Sequence, residues 1–283
     1  MSVVVTGATG HLGRLVVENL LAGGLPADQI VATGRRTENL ADLGVRTAAA
    51  DYDDPDALAA AFAGAETVVL VSGSEPGKRV AQHGNVVEAA KKAGVRRVVY
   101  TSAPHADTAA LALAPDHKAT EELVKASGLA WTILRNNWYT ENYVGALEQA
   151  RTTGVLLSST GDGRVASASR DDYAAGIAAV VLGEGHEGRV YELSGDVAWT
   201  FGELADAMST VLGVPVVNEQ VSFDEHRAIL VDAGLDEGTA GFVATLDADI
   251  RRGDLADATA DLRTLIGRPT TPLVDGLRAA VGQ

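Results

Sequence analysis

The chain reads as an α/β protein built on a doubly wound parallel sheet, and three observations lead there. Short apolar runs recur through residues 1–137, stretches of helical period separate them, and the runs are mostly continuous rather than alternating apolar and polar. Continuous runs suit strands covered on both faces, and a strand–helix alternation is the mark of βαβ units.

The elements follow in order. Val3-Val4-Val5 opens the sheet, and 11–22 forms the first amphipathic helix. Ile30-Val31-Ala32 is the second strand, and Val45 to Ala50, rich in alanine, is a weaker third. A helix over 56–63 leads to the strand Val68-Val69-Leu70-Val71, and one over 78–93 leads to Val98-Val99-Tyr100. A helix over 117–127 precedes Trp131-Thr132-Ile133-Leu134. Past 137 the pattern becomes mixed, with strands expected at 155–160 and 189–194 and a helix at 171–182 opened by Asp171 or Asp172. Thr200 with Glu203, and Ser222 with Glu225, have capping-box spacing and start two more helices. Pro272 to Val281 reads as a last helix with proline in its first turn. No low-complexity linker intervenes, so the second part is expected to pack on the first.

Composition narrows the function. The 283 residues are ample for a large core, and 46% hydrophobic with 22% charged residues is a globular balance. The absence of cysteine excludes a disulfide scaffold, a thiolate zinc site, an iron–sulfur cluster and a thiol nucleophile. His83, His105 and His186 have no metal-ligand spacing, so no metal is expected. A formal charge of −15 repels phosphate backbones and anionic lipid, which makes nucleic acid a poor partner. With no secretory pattern and no spanning apolar run, the expectation is a soluble cytoplasmic protein without membrane insertion.

The strongest signal is the opening turn. A strand enters Gly7-Ala8-Thr9-Gly10-His11-Leu12-Gly13 and a helix leaves at once. The first glycine permits a tight turn, the second lets backbone approach a pyrophosphate, and the third lets the helix press on the strand. The spacing is GxxGxxG rather than GxGxxG, but strand, helix and βαβ context all agree. The second strand ends Gly34-Arg35-Arg36, without the acid that binds ribose hydroxyls in NAD sites. A guanidinium suits a 2′-phosphate, so NADP(H) is favoured, with Arg35 as the nearer candidate. Asp51 ends the third strand where it can reach an adenine, and Ser72-Gly73-Ser74 ends the fourth where backbone can pass under a ribose. Ordinary turn chemistry explains either equally well.

These residues together resemble the NmrA-like branch of the atypical short-chain dehydrogenase/reductases, and within it the bacterial NADPH:quinone oxidoreductase group. The stretches that carry the resemblance are VVVTGATGHLG (3–13), EAAKKAGVRRVVYTSA (88–103), TILRNNWYTENY (132–143), GDGRVASASRDDYAAG (161–176) and GHEGRVYELSGDVAWT (185–200). The resemblance implies a Rossmann-like sheet with a smaller, mostly helical C-terminal domain and an active site between them. The division expected is 1–137 for NADP(H), with 161–195 returning to it, and 138–160 with 196–283 on the substrate side. NADPH would lie along Gly7–Gly13, Arg35 and Ser72–Ser74, with Asn136, Asn137, Trp138, Tyr139, Thr140 and Glu141 lining it.

Ordinary members of the superfamily use a Tyr-x-x-x-Lys pair as proton relay. Here His117 stands where the tyrosine would be and Glu121 where the lysine would be. A secondary alcohol dehydrogenase is therefore not expected, whereas a quinone needs positioning more than acid catalysis. Tyr139 and Asn142 are the residues expected on the substrate side, with Arg170 as a substrate contact or a partner of Asp171 or Asp172. His117 is either a donor to a developing oxyanion, its ordinary pKa lying near neutrality, or a surface or capping residue at a helix start. The expected partner is a small-molecule quinone, and a homodimer is left open. The alternatives are a redox sensor that binds NADP(H) and acts through a protein partner without turnover, and a reductase of some other conjugated ketone.

Overall fold

The computed structural model describes residues 1–75 and 77–282. The chain runs β1 (Val3–Val5), α1 (His11–Ala22), β2 (Ile30–Gly34), β3 (Arg46–Ala49), α2 (Pro55–Ala61), β4 (Thr67–Leu70), α3 (Arg79–Lys92), β5 (Arg97–Ser102), α4 (Ala114–Ala126) and β6 (Ala130–Asn136). It continues through α5 (Val144–Thr153), β7 (Val155–Ser158), β8 (Arg164–Val165), α6 (Arg170–Leu182), β9 (Arg189–Leu193) and β10 (Trp199–Thr200). The last elements are α7 (Phe201–Leu212), β11 (Val217–Gln220), α8 (Phe223–Asp232), α9 (Glu237–Arg252), α10 (Asp261–Ile266) and α11 (Leu273–Ala280).

Seven strands form one sheet in the order β3-β2-β1-β4-β5-β6-β9, every pairing parallel. The order turns back between β1 and β4, so the loops above those two strands part and open a crevice at the carboxyl edge. β1, β4 and β5 are buried along their whole length, as continuous apolar runs require. β3 is an edge strand and largely exposed, which is why its sequence pattern is weak.

Several boundaries differ from the sequence reading. α4 begins at Ala114 with Pro115 in its first turn, so His117 lies inside the helix and is buried rather than capping its start. Ser169, not Asp171 or Asp172, opens α6, its hydroxyl accepting the Asp172 N–H. The 155–160 strand stays out of the main sheet and pairs β7 with β11. The two capping boxes form as expected. α9 has no counterpart in the sequence reading, and Gly238 and Gly241 in its first turns weaken its helical signal.

α6 and β9 return to the sheet, β9 pairing with β6 and α6 packing on α1. Leu262, Leu265 and Ile266 of α10 join that same cluster, although 196–283 was expected on the substrate side. A second apolar cluster gathers Tyr143, Leu147, Trp199, Phe201 and Met208, and it reaches Ala103 and Leu111 in the segment joining β5 to α4. Among the described residues no helix is long and apolar enough to cross a membrane.

A buried ionic knot ties the right half of the sheet together. Arg135 on β6 grips Glu121 of α4 with two bonds, Nε to Oε1 at 2.8 Å and Nη2 to Oε2 at 2.7 Å. Its Nη1 also reaches Glu192 of β9 and Asp107 of the 103–113 segment, each at 2.8 Å. Burial pushes the Glu121 carboxyl up, but Arg135 and the Ser102 hydroxyl more than reverse this and leave it below its ordinary value. His105, in the left-handed region at φ 46°, anchors the same segment through its N–H to Glu192 Oε2 at 3.1 Å.

Removing one partner strands a buried charge. Glu121→Ala is expected to lower stability by about 3–5 kcal/mol, and Glu121→Leu with Arg135→Met by much less. A carboxylate held low in the folded state contributes fully above its unfolded value of about 4.3 and loses that contribution as pH falls. The gap between Glu121→Ala and the parent in urea melts should therefore narrow below that pH. Equal gaps at pH 7 and pH 3 would contradict the assignment.

Candidate active site

The β1–α1 turn is shaped by three glycines with different duties. Gly7 takes φ +59°, which a side chain rarely adopts. A Cβ on Gly13 would stand 2.3 Å from the Gly7 carbonyl oxygen, so only glycine lets α1 press on the turn. A Cβ on Gly10 would meet nothing nearer than that carbonyl at 3.3 Å, so its freedom matters for whatever occupies the cleft. α1 has no side-chain cap and no acid in its first turn. Its leading N–H groups, from His11 to Gly13, thus face the crevice as an anion site.

A cleft of about 730 Å³ follows the carboxyl edge of the sheet from this turn. Arg35, Arg36 and Asp51 form one end. Arg35 is 69% exposed, 3.5 Å from Glu75 and 4.0 Å from Asp51, a loose surface pairing that a ligand can displace. Asp51 Oδ1 accepts the Asp53 N–H at 3.1 Å, the turn role weighed from sequence. Ser72, Gly73 and Ser74 line the middle, their backbone pinned by the Ser72 N–H to Thr101 Oγ1 and the Gly73 N–H to His83 Nε2, both at 2.9 Å.

The far end is built from β5, α4 and the segment after β6. Asn136 lies there with its Nδ2 donating to the Tyr139 hydroxyl at 3.3 Å and its buried Oδ1 without a partner among the described residues. Asn137 lines the wall but turns its amide inward, to the Trp138 N–H and the Leu255 carbonyl. Trp138 leans on the second apolar cluster, and Tyr139 packs edge-on to Tyr173 at 5.3 Å. Arg170 lies 5.0 Å over the Tyr139 ring and donates to Asn142 Oδ1 at 2.7 Å. It therefore pairs with Asn142 and, at 3.9 Å, with Glu141, rather than with Asp171 or Asp172.

Three residues expected at the cofactor do not line the cleft. Ala8 is buried and gives its N–H to the Thr33 carbonyl at 2.8 Å. Thr140 is buried against Ser167, with 2.9 Å between hydroxyls. Glu141 accepts the Arg170 N–H at 2.8 Å and so serves the start of α6.

His117 does line the cleft, with its Nδ1 2.7 Å from the Tyr100 hydroxyl. Burial first, and the nearby Arg79 second, push its pKa down to about 3, so its ordinary near-neutral value does not apply. Glu121 is locked to Arg135, so no relay replaces the missing Tyr-Lys pair through that position.

Sequence reasoning missed Tyr52, Arg79, Leu111 and Leu113 on the walls. Tyr52 follows β3, its hydroxyl donating to the Val71 carbonyl at 2.6 Å. An aromatic residue just past a strand end was the available signal. Leu111 and Leu113 sit in the apolar run 110–115, which reads equally well as core. Arg79 is a buried arginine in the first turn of α3, and no local pattern marks it.

A family model for NAD(P)H-binding proteins matches residues 7–183. The chain is 31% identical to an NmrA-like family domain-containing oxidoreductase of Aspergillus flavus, over 98% of this chain and 94% of that one. The chain belongs to the NAD(P)H-binding, NmrA-like family. Within this family it is 44% identical to quinone oxidoreductase 2 of Escherichia coli (strain K12), over 97% of each protein. A solved structure of an NADPH-dependent quinone oxidoreductase from Escherichia coli, complexed with NADPH, matches at TM-score 0.94 and 43% identity over 99% of both chains. Triphenylmethane reductase of Citrobacter sp., complexed with NADP(H), matches at TM-score 0.93 and 38% identity, covering 99% of this chain and all of that one.

The residues present fit the family's dinucleotide. The uncapped N–H groups of α1 suit its pyrophosphate, the cleft that Gly10 lines admits it, and among the described residues the buried Asn136 Oδ1 at the far end has no protein partner. Gly10→Val should keep the circular dichroism and melting of the parent while calorimetry shows NADPH binding lost. Gly13→Ala should instead unfold the turn. Retained affinity in a folded Gly10→Val variant would mean that this turn is not the phosphate site.

Proposed function

We propose that the chain is an NADPH-dependent oxidoreductase that passes hydride to a quinone in this cleft, acting in the cytoplasm on a small molecule and not on nucleic acid. One observation carries the reading. A single crevice joins an uncapped helix N-terminus to an aromatic and apolar end, and the position of the usual catalytic lysine is spent on a structural ion pair. An alcohol needs a base and an unactivated ketone an acid, the part that a tyrosine activated from that position plays, whereas a quinone needs neither.

The chain's residues divide the work. The Gly7–Gly13 turn and α1 hold the pyrophosphate, and Arg35 takes the 2′-phosphate by giving up its loose pairing with Glu75. Ser72–Ser74 would lie under the ribose, and Asn136, held by the Tyr139 hydroxyl, would flank the nicotinamide. Trp138, Tyr139, Leu111 and Leu113 offer a planar ring an aromatic and apolar wall, and Asn142 keeps Arg170 over Tyr139. NADPH held there would supply two electrons and one proton as hydride, which would turn the quinone into the hydroquinone monoanion, and a proton from water would complete it. The structure of the site gives speed by alignment and exclusion of water.

The deciding experiment is NADPH oxidation followed with a panel of quinones against a quinone-free control. Turnover is expected. Tight NADPH binding with no turnover on any quinone would overturn this reading in favour of a sensor. Arg35→Ala should weaken NADPH by one to two orders of magnitude, roughly what a charge-assisted hydrogen bond contributes, and leave NADH nearly unchanged. Tyr139→Ala or Asn142→Ala should slow single-turnover reduction by about 10²-fold through misplacement alone while calorimetric NADPH affinity stays near the parent's.

A further inference from the structure

A line of hydrogen bonds behind the cleft fixes where protons stand. The Gly73 N–H donates to His83 Nε2 at 2.9 Å, so that nitrogen carries no proton. Burial holds the His83 ring neutral, its pKa down to about 3, and its proton therefore sits on Nδ1, 3.0 Å from Thr120 Oγ1. Thr120 gives its own proton to the Asp116 carbonyl at 2.9 Å. Tyr100 stands between the two histidines, its ring edge-on to His83 at 5.5 Å and stacked at 6.0 Å with His117.

The Tyr100 hydroxyl lies 2.7 Å from His117 Nδ1. Burial pushes that phenol well above its ordinary value, so it stays protonated, and among the described residues His117 Nδ1 is the acceptor within hydrogen-bond distance on which the buried O–H can be spent. His117 Nδ1 is then the acceptor, and the neutral ring carries its proton on Nε2. Among the described residues Nε2 has no protein partner, and unlike Asn136 Oδ1 it is not enclosed by protein, while the residue lines the cleft. The charged and titratable groups facing the pair are Arg79 and His83 from α3 and Glu121 and Asp116 from α4, with Arg79 bound to Asp116 at 3.2 Å and Glu121 bound to Arg135.

We propose that Tyr100 is a positioning residue that fixes His117 as a neutral Nε2–H donor, and that this N–H binds the acceptor oxygen on which negative charge develops. The idea rests on the quinone reading above and names what the site recognises: an acceptor whose reduction leaves an anionic oxygen. His117 stabilises that oxygen without ever becoming a cation, so its contribution does not titrate between pH 5 and 8, and the last proton still comes from water.

Two measurements on the full-length protein test this. In the first, ¹⁵N–¹H correlation spectra of the imidazoles should show His117 with Nε2 protonated and Nδ1 bare, unchanged from pH 5 to 8, and a mixture of tautomers in Tyr100→Phe. An imidazolium at pH 6, or the Nδ1–H tautomer in the parent, overturns the proposal. In the second, single-turnover quinone reduction with saturating NADPH should fall about tenfold in His117→Ala, the scale of one net hydrogen bond, and about threefold in Tyr100→Phe. His117→Gln, which offers an amide N–H in its place, should recover most of the rate, and NADPH affinity should stay within about twofold in all three. A His117→Ala rate equal to the parent's overturns the role of Nε2–H and leaves the quinone reading intact. A parent that reduces no quinone overturns that reading itself.

Discussion

The guanidinium of Arg135 is the constraint on which the right-hand side of the molecule depends. It stands at the carboxyl end of β6 and holds α4, β9 and the 103–113 segment at once. Each of those pieces contributes a wall, a floor or a support to the cleft. A buried charge of this kind is costly unless all its partners are in place, which makes the arrangement all-or-none. The same pair bears on the chemistry, because a carboxylate clamped by arginine at position 121 cannot play the part of the lysine in a Tyr-x-x-x-Lys relay. Fold and reaction class thus share one interaction.

A protein with a formal charge of −15 binds a polyanionic cofactor by local rather than global electrostatics. The overall field opposes the approach of phosphate, but the donors that matter are fixed and close. Helix N–H groups act over a turn or so and the Arg35 guanidinium over a few ångströms, while the acidic groups further off are screened at physiological salt. Arg35 pairs loosely with Glu75 and Asp51, which keep that cation in the mouth of the cleft, where the proposed 2′-phosphate would replace them.

How much of this was legible depended on how local the signal was. The Gly7–Gly13 turn, the strands around it and the capping boxes at Thr200 and Ser222 are written within a few residues of themselves, and they were readable. The sheet's last strand, β9, was readable as a strand, but its place beside β6 rests on the resemblance. Ser169 took the cap from its acidic neighbours because an N-cap hydroxyl must lie one residue before the helix, a choice of register that composition does not fix. His117 was read with its solution chemistry, because nothing in the sequence says that α4 starts three residues earlier and buries the ring against Tyr100. Arg79 and Tyr52 reach the cleft through partners 37 and 46 residues away, pairings that no window of sequence contains.

The path of the chain has a mechanical meaning. After β6 it leaves the sheet for α5 and β7, returns as α6 and β9, leaves again for α7 to α9, returns as α10 and ends in α11 against α7. Two lobes joined by one linker can swing open like a clamshell. Here every crossing is a strut between the cleft's two walls, and a rotation would have to bend all of them together. The site is therefore expected to keep a fixed aperture and to select acceptors by a shape made during folding, so that little conformational entropy is lost when they enter.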